Sequence, residues 1–283
     1  MFEVAKPRKA CTSHYNDPVL VRQLTAITRA VSPAIARCEL THRPRVAIDA
    51  ATVAAQHADY ERALVRLGCA VHRVSAAPDM PDSVFIEDTA VVLDELAILT
   101  RPGAESRRAE VAAVAEVLGA HRPIARIEPP GTMDGGDVMV AGRTIFVGVS
   151  SRTNASGIDQ LRGFVAPLEY DVRPVVVRGC LHLKSAVTTI NDETLLINQA
   201  WLAPGAFDDF QLVDVDLREP DGANIVRVFN RLLYSEGFPR TRERLVERGY
   251  DVTTVQVGEI AKAEGAVTCC SLIFKEHHCL SAV

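Results

Sequence analysis

The sequence lacks any long apolar run, which excludes a membrane-spanning helix of about 20 apolar residues. Its opening stretch, MFEVAKPRKA, also lacks the apolar core of a signal peptide. No linker, low-complexity tract or coiled-coil heptad interrupts the chain. We therefore expect a cytoplasmic protein that forms a single domain over residues 1–283.

Two further absences concern structural metals and nucleic acids. The seven cysteines are odd in number and show no C-x-x-C spacing, which argues against a disulfide framework and against a structural zinc site. Their thiols are therefore expected to be mostly reduced. The net charge of -5 and the lack of a basic stripe give no reason to expect a nucleic-acid partner.

A repeated unit is visible along the chain. Two strand-like runs meet at a short polar turn and are followed by a further segment, which is helical in three of the four units. The units are VFIEDTAVVL, LAILT and SRRAEVAAVAEVLGA; DVMV, TIFVGV and GIDQLRGFVAPL; KSAVTTI, TLLIN and a segment around Trp201; and IVRVF, LLYS and TRERLVERGY. β-Branched runs joined by turns at 94–95, 141–142, 191–192 and 230–231 predict hairpins.

One such unit cannot bury its own apolar face, so several units are expected to share a core. The alternative is a plain α/β or α+β domain with incidental hairpins. The first eighty residues are predicted to be mostly helical, with strand-like pieces between the helices, and a helix over 46–68 is expected to end at Gly68. Strands around VTTVQV and VTCCSLIF are expected to close the chain.

Two carboxylates interrupt the apolar run PDSVFIEDTAVVL. If this run is a strand, Glu87 and Asp88 point to opposite faces, and one of them faces the interior. A buried carboxylate needs a cation, and a guanidinium meets its oxygens bidentately. The motif therefore indicates either a site for a cationic ligand or a structural ion pair with an arginine.

Two other segments supply acid–base residues. In GTMDGGDVMV, Asp134 and Asp137 flank a glycine pair before a strand. The motif indicates either an acid that orients a catalytic group or an ordinary acidic turn. In GCLHLKSAVT, His182 is placed at a strand start with Lys184 on the same face. Histidine is the usual acid–base group near neutral pH, although most of the eight histidines are expected to be structural.

A cysteine pair lies near the end of the chain, in GAVTCCSLIF. Cys269 and Cys270 are predicted at the head of an apolar strand, one facing a pocket and the other the core. A nucleophilic cysteine needs a nearby base and an orienting acid, whereas two buried thiols would be inert. From the residues alone, the chain is therefore either a thiol hydrolase or a protein in which these two thiols are buried and inert.

Six motifs in order carry a resemblance to a known family: PDSVFIEDTAVV, LTRPGAESRR, MDGGDV, FVGVSSRTN, LHLKS and TCCSLIF. Over residues 30–275 the chain resembles the dimethylarginine dimethylaminohydrolases, and the tail 276–283 is unassigned. The resemblance implies an α/β pentein fold, a five-bladed propeller of ββαβ modules with pseudo-fivefold symmetry. It also implies hydrolysis of N-methylated arginines to citrulline.

The resemblance implies a role for each motif residue. Cys269 corresponds to the nucleophile, His182 to the general acid–base and Asp134 to the acid that orients it. The residues expected to contact substrate are Leu40 in a lid, Asp82 at its amino-acid end, Glu87 and Asp88 at the guanidinium, and Arg107 and Arg152 at its carboxylate. No cofactor or metal is implied, although a thiolate–imidazole pair can bind zinc adventitiously.

Lys184 bears on the choice of substrate. By the same resemblance, the related arginine deiminases have an acid at this position. Its replacement by lysine implies a preference for methylated arginine over arginine. The alternatives are an arginine deiminase, a citrulline hydrolase, an amidinotransferase, or a non-catalytic protein that binds an arginine-like ligand. A small-molecule ligand is expected as the partner, and a homodimer is plausible from the resemblance.

Overall fold

The computed structural model describes residues 23–276, which form a mixed α/β structure. The strands are β1 (Leu24–Arg29), β2 (Cys69–Val74), β3 (Ala90–Val92), β4 (Ala97–Leu99), β5 (Ile124–Arg126), β6 (Val138–Ala141), β7 (Thr144–Val149), β8 (Asp171–Val176), β9 (Val187–Thr189), β10 (Thr194–Ile197), β11 (Gln211–Asp214), β12 (Val226–Val228), β13 (Arg231–Ser235), β14 (Asp251–Val255) and β15 (Leu272–Lys275). The α-helices are α1 (Ala50–Leu67), α2 (Val111–Leu118), α3 (Ala155–Val165), α4 (Leu183–Ala186), α5 (Pro239–Glu247) and α6 (Gly258–Ala261).

The strands form five three-stranded sheets with one shared pattern. In each sheet the central strand pairs antiparallel with one neighbour and parallel with the other. The orders are β3-β4-β5, β6-β7-β8, β9-β10-β11, β12-β13-β14 and β15-β1-β2. The four hairpins expected from the polar turns are therefore present, although the second turn lies at residues 142–143, one position later than predicted, and the last lies at residues 229–230, one position earlier.

The fifth sheet joins distant parts of the chain. β15 pairs antiparallel with β1, so that Ile27 lies opposite Leu272, and β1 then pairs in parallel with β2 across α1. The prediction for this early region included strand-like pieces but gave no positions for β1 and β2. The local sequence pattern does not reveal β1. All six of its residues are buried, so the strand lacks the alternation of buried and exposed positions that usually marks one. Residues 1–22 lie outside the described part.

The apolar core consists of five clusters, each shared by two sheets. One cluster, for example, joins Val91 and Ile98 of the first sheet to Val138 and Ile145 of the second. The other four join the second sheet to the third, the third to the fourth, the fourth to the fifth, and the fifth back to the first. Each sheet therefore buries its apolar surface only with the help of two neighbours.

Helix α1 has clear signals at both ends. The Asp49 carboxylate accepts the backbone N–H of Thr52 at 2.6 Å, and Gly68 ends the helix with a φ of 103°. This left-handed backbone is open to glycine at little cost, as the sequence predicts. Among the helices of residues 23–276, none combines the length and the apolarity that crossing a bilayer requires.

Candidate active site

The acidic pair after Phe85 lies in a 3₁₀ turn, Ile86–Thr89, rather than in a strand as expected. Both side chains are buried, and tertiary contacts hold them in this turn. The Glu87 carboxylate accepts from Lys184 Nζ at 2.6 Å and from Thr268 Oγ1 at 2.7 Å. Glu87 is therefore engaged in a structural ion pair, while Asp88 turns toward a different set of partners.

Asp88 is fixed by an arginine and a backbone amide. Its Oδ2 lies 2.5 Å from Arg107 Nη1, and its Oδ1 accepts the Gly136 N–H at 3.0 Å. Burial favours the neutral acid, but the charges of His182 and Arg107 outweigh this and lower the pKa of Asp88 to about 2. Asp88 therefore carries a negative charge at neutral pH. Arg107 is itself buried and also pairs with Glu110 at 2.9 Å.

His182 faces two carboxylates. Its Nε2 lies 3.0 Å from Asp134 Oδ2, and its Nδ1 lies 3.8 Å from Asp88 Oδ1. Burial disfavours the charged imidazolium, but the carboxylates of Asp88 and Asp134 outweigh it and raise the pKa of His182 to about 9. A Cβ on Gly136 would come within 2.6 Å of His182 Nδ1, so only glycine permits this approach.

The backbone around His182 differs from the prediction. His182 precedes the short helix α4 instead of beginning a strand, and β9 begins only at Val187. Asp137 fastens this turn, because its carboxylate accepts the Leu183 N–H at 3.0 Å and the Thr153 hydroxyl at 2.7 Å. Burial raises the pKa of Asp137 to about 6. Asp137 was marked by its sequence motif, but its contact with the turn after His182 was not predicted.

Asp134 is fully buried and well oriented. Its Oδ1 accepts the Gly103 N–H at 2.9 Å, while its own N–H donates to Thr153 Oγ1 at 3.2 Å. One oxygen is thus held by the backbone and the other meets His182. This arrangement fixes the imidazole ring through hydrogen bonds rather than through packing alone.

The two cysteines differ in their environments. Cys269 is half-buried and lines the same cavity as His182, whereas Cys270 is buried in the apolar core. Burial, with the nearby charges of Glu87 and Asp88, raises the pKa of Cys269 to about 12. The Cys269 thiol therefore stays protonated at neutral pH until a cation enters.

The catalytic cavity, as we call the small cavity of about 20 Å³ beside Cys269 and His182, collects most of the expected residues. Leu40 and Glu87 do not line it. Leu40 packs on the cluster around α1, and Glu87 borders a separate cavity of about 250 Å³. Seven expected residues line the catalytic cavity: Asp82, Asp88, Arg107, Asp134, Arg152, His182 and Cys269. Six further lining residues were missed: Glu39, Phe85, Leu181, Ala263, Glu264 and Gly265.

The entrance side of the cavity is built from charged groups and a loop. The Asp82 carboxylate accepts the Glu39 N–H at 3.1 Å with both oxygens, and burial raises the pKa of Asp82. Arg152 Nη2 donates to Thr41 Oγ1 at 3.0 Å. No sequence signal marked Glu39, because its contact with Asp82 depends on a separation of 43 residues.

Three groups of the site lie close enough to hold a metal ion. Ligand atoms of Asp88, Asp134 and His182 lie within 4.8 Å of one another. The carboxylates raise the pKa of His182, so a metal ion bound there would have to displace a proton from the imidazole.

Comparison with known proteins places these features in a family. The arginine deiminase family model matches residues 39–238. The N(G),N(G)-dimethylarginine dimethylaminohydrolase of Streptomyces coelicolor is 41% identical over 256 residues, which are 89% of this chain and 97% of that relative. The enzyme of that name from Pseudomonas aeruginosa is 36% identical, over 80% of this chain and 90% of that relative.

A solved structure agrees with these sequence comparisons. A serine-for-cysteine variant of the Pseudomonas aeruginosa enzyme in complex with citrulline matches with a TM-score of 0.85 at 32% identity. The match covers 89% of this chain and 99% of that one. The N-terminal domain of ArgZ, a cyanobacterial arginine dihydrolase, has a TM-score of 0.79 at 17% identity, which shows a shared fold alone.

Proposed function

Because the chain belongs to the dimethylarginine dimethylaminohydrolase family, we propose that it hydrolyses asymmetric dimethylarginine and monomethylarginine. The products are citrulline and dimethylamine or methylamine. One observation carries the proposal: a thiol, a protonated histidine and a permanently charged carboxylate line one cavity in Cys269, His182 and Asp88. These are the groups that a covalent attack on a guanidinium carbon needs.

We also infer the finer architecture on which this site depends. The five sheets and the five clusters that join them in a closed sequence support a five-bladed propeller of ββαβ modules with pseudo-fivefold symmetry. The catalytic cavity then lies at the centre of one catalytic domain. A homodimer, expected from the family resemblance, stays a prediction.

The first half of the proposed reaction forms a covalent intermediate. The guanidinium is held by the Asp88 charge, and its own positive charge lowers the pKa of Cys269, so that the thiol releases its proton to solvent and a thiolate forms. The thiolate attacks the guanidinium carbon and gives a tetrahedral adduct. His182 donates a proton to the methylated nitrogen, the C–N bond breaks, and the amine leaves. An S-alkylthiouronium on Cys269 remains.

The second half returns the enzyme to its starting state. Neutral His182 accepts a proton from water, and the resulting hydroxide attacks the same carbon. The C–S bond then breaks, the hydroxyl proton of the adduct passes to the departing Cys269 thiolate, and neutral citrulline is released, which restores the thiol. Asp134 keeps the imidazole in one orientation through both halves, because its 3.0 Å contact with Nε2 does not depend on the substrate.

The amino-acid end of the substrate is proposed to lie near Asp82 and Arg152. A buried carboxylate at Asp82 suits an ammonium group, and the half-buried Arg152 suits a carboxylate. Arg107 contributes differently from the expectation, since its guanidinium is engaged by Asp88 and Glu110. We propose that it acts by holding Asp88 in place.

Lys184 supports the choice of methylated arginine over arginine. Its ammonium lies 2.6 Å from Glu87, and neither side chain lines the catalytic cavity, so Lys184 supports this choice only as a position where the family resemblance expects no acid. A guanidinium bearing methyl groups needs fewer hydrogen-bond acceptors at that end. An arginine deiminase is the main rival, and it would need an additional acceptor here.

The proposal is tested by the turnover of asymmetric dimethylarginine, monomethylarginine and arginine by the purified protein, with citrulline and the released amine quantified. We expect citrulline with dimethylamine or methylamine, and little product from arginine. Ammonia from arginine alone would identify a deiminase. Cys269→Ser is expected to abolish turnover, whereas Cys270→Ser, its matched control, keeps most of it. A dead Cys270→Ser with an active Cys269→Ser would overturn the mechanism.

A further inference from the structure

One carboxylate holds the middle of the lid segment, which we define as residues 39–45. The Glu264 carboxylate accepts three consecutive backbone N–H groups, from Thr41 at 3.0 Å, His42 at 2.6 Å and Arg43 at 2.5 Å. Successive N–H groups that point at one spot form an anion-binding nest. Here the anion is supplied by the protein itself, from a residue 221 or more positions away.

Glu264 stands between two cavities. The catalytic cavity of about 20 Å³ lies on one side, and an outer cavity of about 510 Å³ lies on the other. Both are lined by Glu264, Leu181 and Gly265, while His42 and Arg43 of the lid segment line the outer cavity. The outer cavity falls within the roughly 300–1,000 Å³ of small-molecule sites, whereas the catalytic cavity has room for about one water molecule.

The backbone at Glu264 gives an independent reason to look for a function. Its φ of 59° lies in the left-handed region, just after helix α6, where glycine is normally favoured. A side chain at this position is unfavourable unless it contributes something that glycine lacks. What the side chain contributes is the carboxylate that receives the three N–H groups.

The other contacts of the lid segment are weaker or act elsewhere on it. The Arg43–Asp221 pair at 2.8 Å is more than 40% exposed on both sides, so water screens it. Asp82 binds only the N–H of Glu39, at the start of the segment. Arg152 also donates to the Thr41 side chain at 3.0 Å, but Glu264 is the group that holds the lid backbone at residues 41–43.

We propose that Glu264 is a positioning residue that latches the lid segment over the catalytic cavity, and that substrate enters from the outer cavity when these contacts release. The identity of the substrate rests on the proposed function; the latch does not. The outer cavity also carries Asp221 and Glu236, which suit the approach of a cation.

Alkylation of two thiols tests the latch without any substrate. Cys269 lines the catalytic cavity and Cys180 the outer one, and both have a pKa raised to about 12, so their relative rates report access. In Glu264→Gln, we expect iodoacetamide to modify Cys269 about tenfold faster, because the amide keeps an acceptor oxygen but loses the charge that strengthens the three bonds. Cys180 should keep its rate.

Glu259→Gln is the matched control, because Glu259 also accepts a backbone N–H, from Asp49 at 2.7 Å, but lines neither cavity. Both thiols should react in it as in the wild type. An unchanged Cys269 rate in Glu264→Gln would overturn the latch, and so would equal acceleration of both thiols, which indicates general loosening.

Kinetics and a second variant separate the latch from stability. Glu264→Gly relieves the left-handed backbone, so it should melt no lower than the wild type while it still loses the latch. In both Glu264 variants we expect KM for asymmetric dimethylarginine to rise about tenfold and kcat to change by less than about threefold. An unchanged KM would overturn the positioning role. Absence of wild-type turnover would reject the proposed function, and the alkylation rates would still decide the latch.

Discussion

At the scale of single residues, the protonation states of Cys269 and His182 set the order of events. His182 already carries the proton that the leaving amine needs, because its pKa is raised to about 9. Cys269 is in the unreactive thiol form, because its pKa is raised to about 12. In the proposed reaction, a cationic ligand lowers the pKa of Cys269, so the thiolate is generated when a guanidinium is present to receive it.

The raised pKa of His182 predicts a pH-dependent stability. A folded-state pKa of about 9, above the ordinary 6.5, stabilises the fold fully below pH 6.5 and loses this contribution as the pH rises through 9. We expect the difference in unfolding free energy between wild type and His182→Gln to shrink by about 3 kcal/mol between pH 6 and pH 9.5. Urea denaturation at both pH values measures it.

Asp88→Asn is the matched variant for that experiment. It removes the leading carboxylate contribution to the His182 pKa, so the pH window should narrow and move toward pH 6.5. A difference between wild type and His182→Gln that is independent of pH would contradict the assignment of His182 as an imidazolium at neutral pH.

The sequence identified the types of residue at the site better than their contacts. Asp88, Asp134 and His182 were candidates because polar groups stood out in apolar surroundings. Whether they meet could not be decided, because His182 lies 48 residues from Asp134. Sequence patterns likewise could not reveal that Glu87 forms an ion pair with Lys184, 97 residues away. The family resemblance implied that Asp88, Asp134 and His182 meet, but it placed Glu87 at the guanidinium and not beside Lys184.

At the scale of elements, helix α3 and the loop before Asp134 are joined by one side chain. Asn154 Oδ1 accepts the Gly157 N–H at 2.9 Å as the helix cap and the Thr132 N–H at 3.0 Å from the loop. Its Nδ2 donates to the carbonyl of Pro130. The helix cap therefore also positions the segment that leads to the orienting acid.

Asn154→Ala is expected to lower the unfolding free energy by about 1 kcal/mol, because the cap and the loop amide both lose an acceptor. The same change should lower kcat, since Asp134 follows the loop by two residues. Asn154→Asp retains the acceptor oxygen and should restore most of both losses. Urea denaturation and steady-state turnover provide the comparison, and an intact kcat in Asn154→Ala would separate the cap from the catalytic loop.

Hairpins and 3₁₀ turns differed in how well the sequence predicted them. Turns such as Asn191–Asp192 follow from local chemistry and were found where expected, between β9 and β10. The 3₁₀ turns at Ile86–Thr89 and Gly135–Asp137 were not predicted. They depend on partners in other sheets, such as the Cys269 carbonyl that accepts the Glu87 N–H at 3.1 Å.

At the scale of the whole molecule, a polar network connects segments that lie far apart in the chain. Lys184 binds Glu87, Glu87 accepts from Thr268, and Thr268 Oγ1 accepts from Asn224 at 2.9 Å. The Lys184 and Glu87 side chains are only 18% and 9% exposed. Removing one charge of such a pair leaves the other desolvated and unpaired.

We expect Lys184→Met to destabilise the fold by about 3 kcal/mol and the double variant Lys184→Met/Glu87→Gln to recover part of it. Urea denaturation of the four proteins in this cycle gives the coupling energy. The exposed Arg143–Glu95 pair, at 2.7 Å, is a control whose coupling should be much smaller. Equal coupling in the two cycles would show that burial of the central pair adds nothing.

The closed arrangement of the five sheets could not be read from local patterns. The repeat predicted that several units share a core, which the five clusters confirm. It left open the plain α/β alternative, because the fifth unit is split between β1, β2 and β15 and has no continuous signature.

The pairing of β1 with β15 has a consequence for biosynthesis. Ile27 pairs with Leu272, which is synthesised much later. At a translation rate of roughly 5–20 residues per second, β1 has no antiparallel neighbour for about 10–50 s on the ribosome. During that interval the nascent chain presents an open sheet edge that invites aggregation and chaperone binding. Cys269 is synthesised just before β15. Its thiol is therefore present in the nascent chain only shortly before the strand that completes the fold.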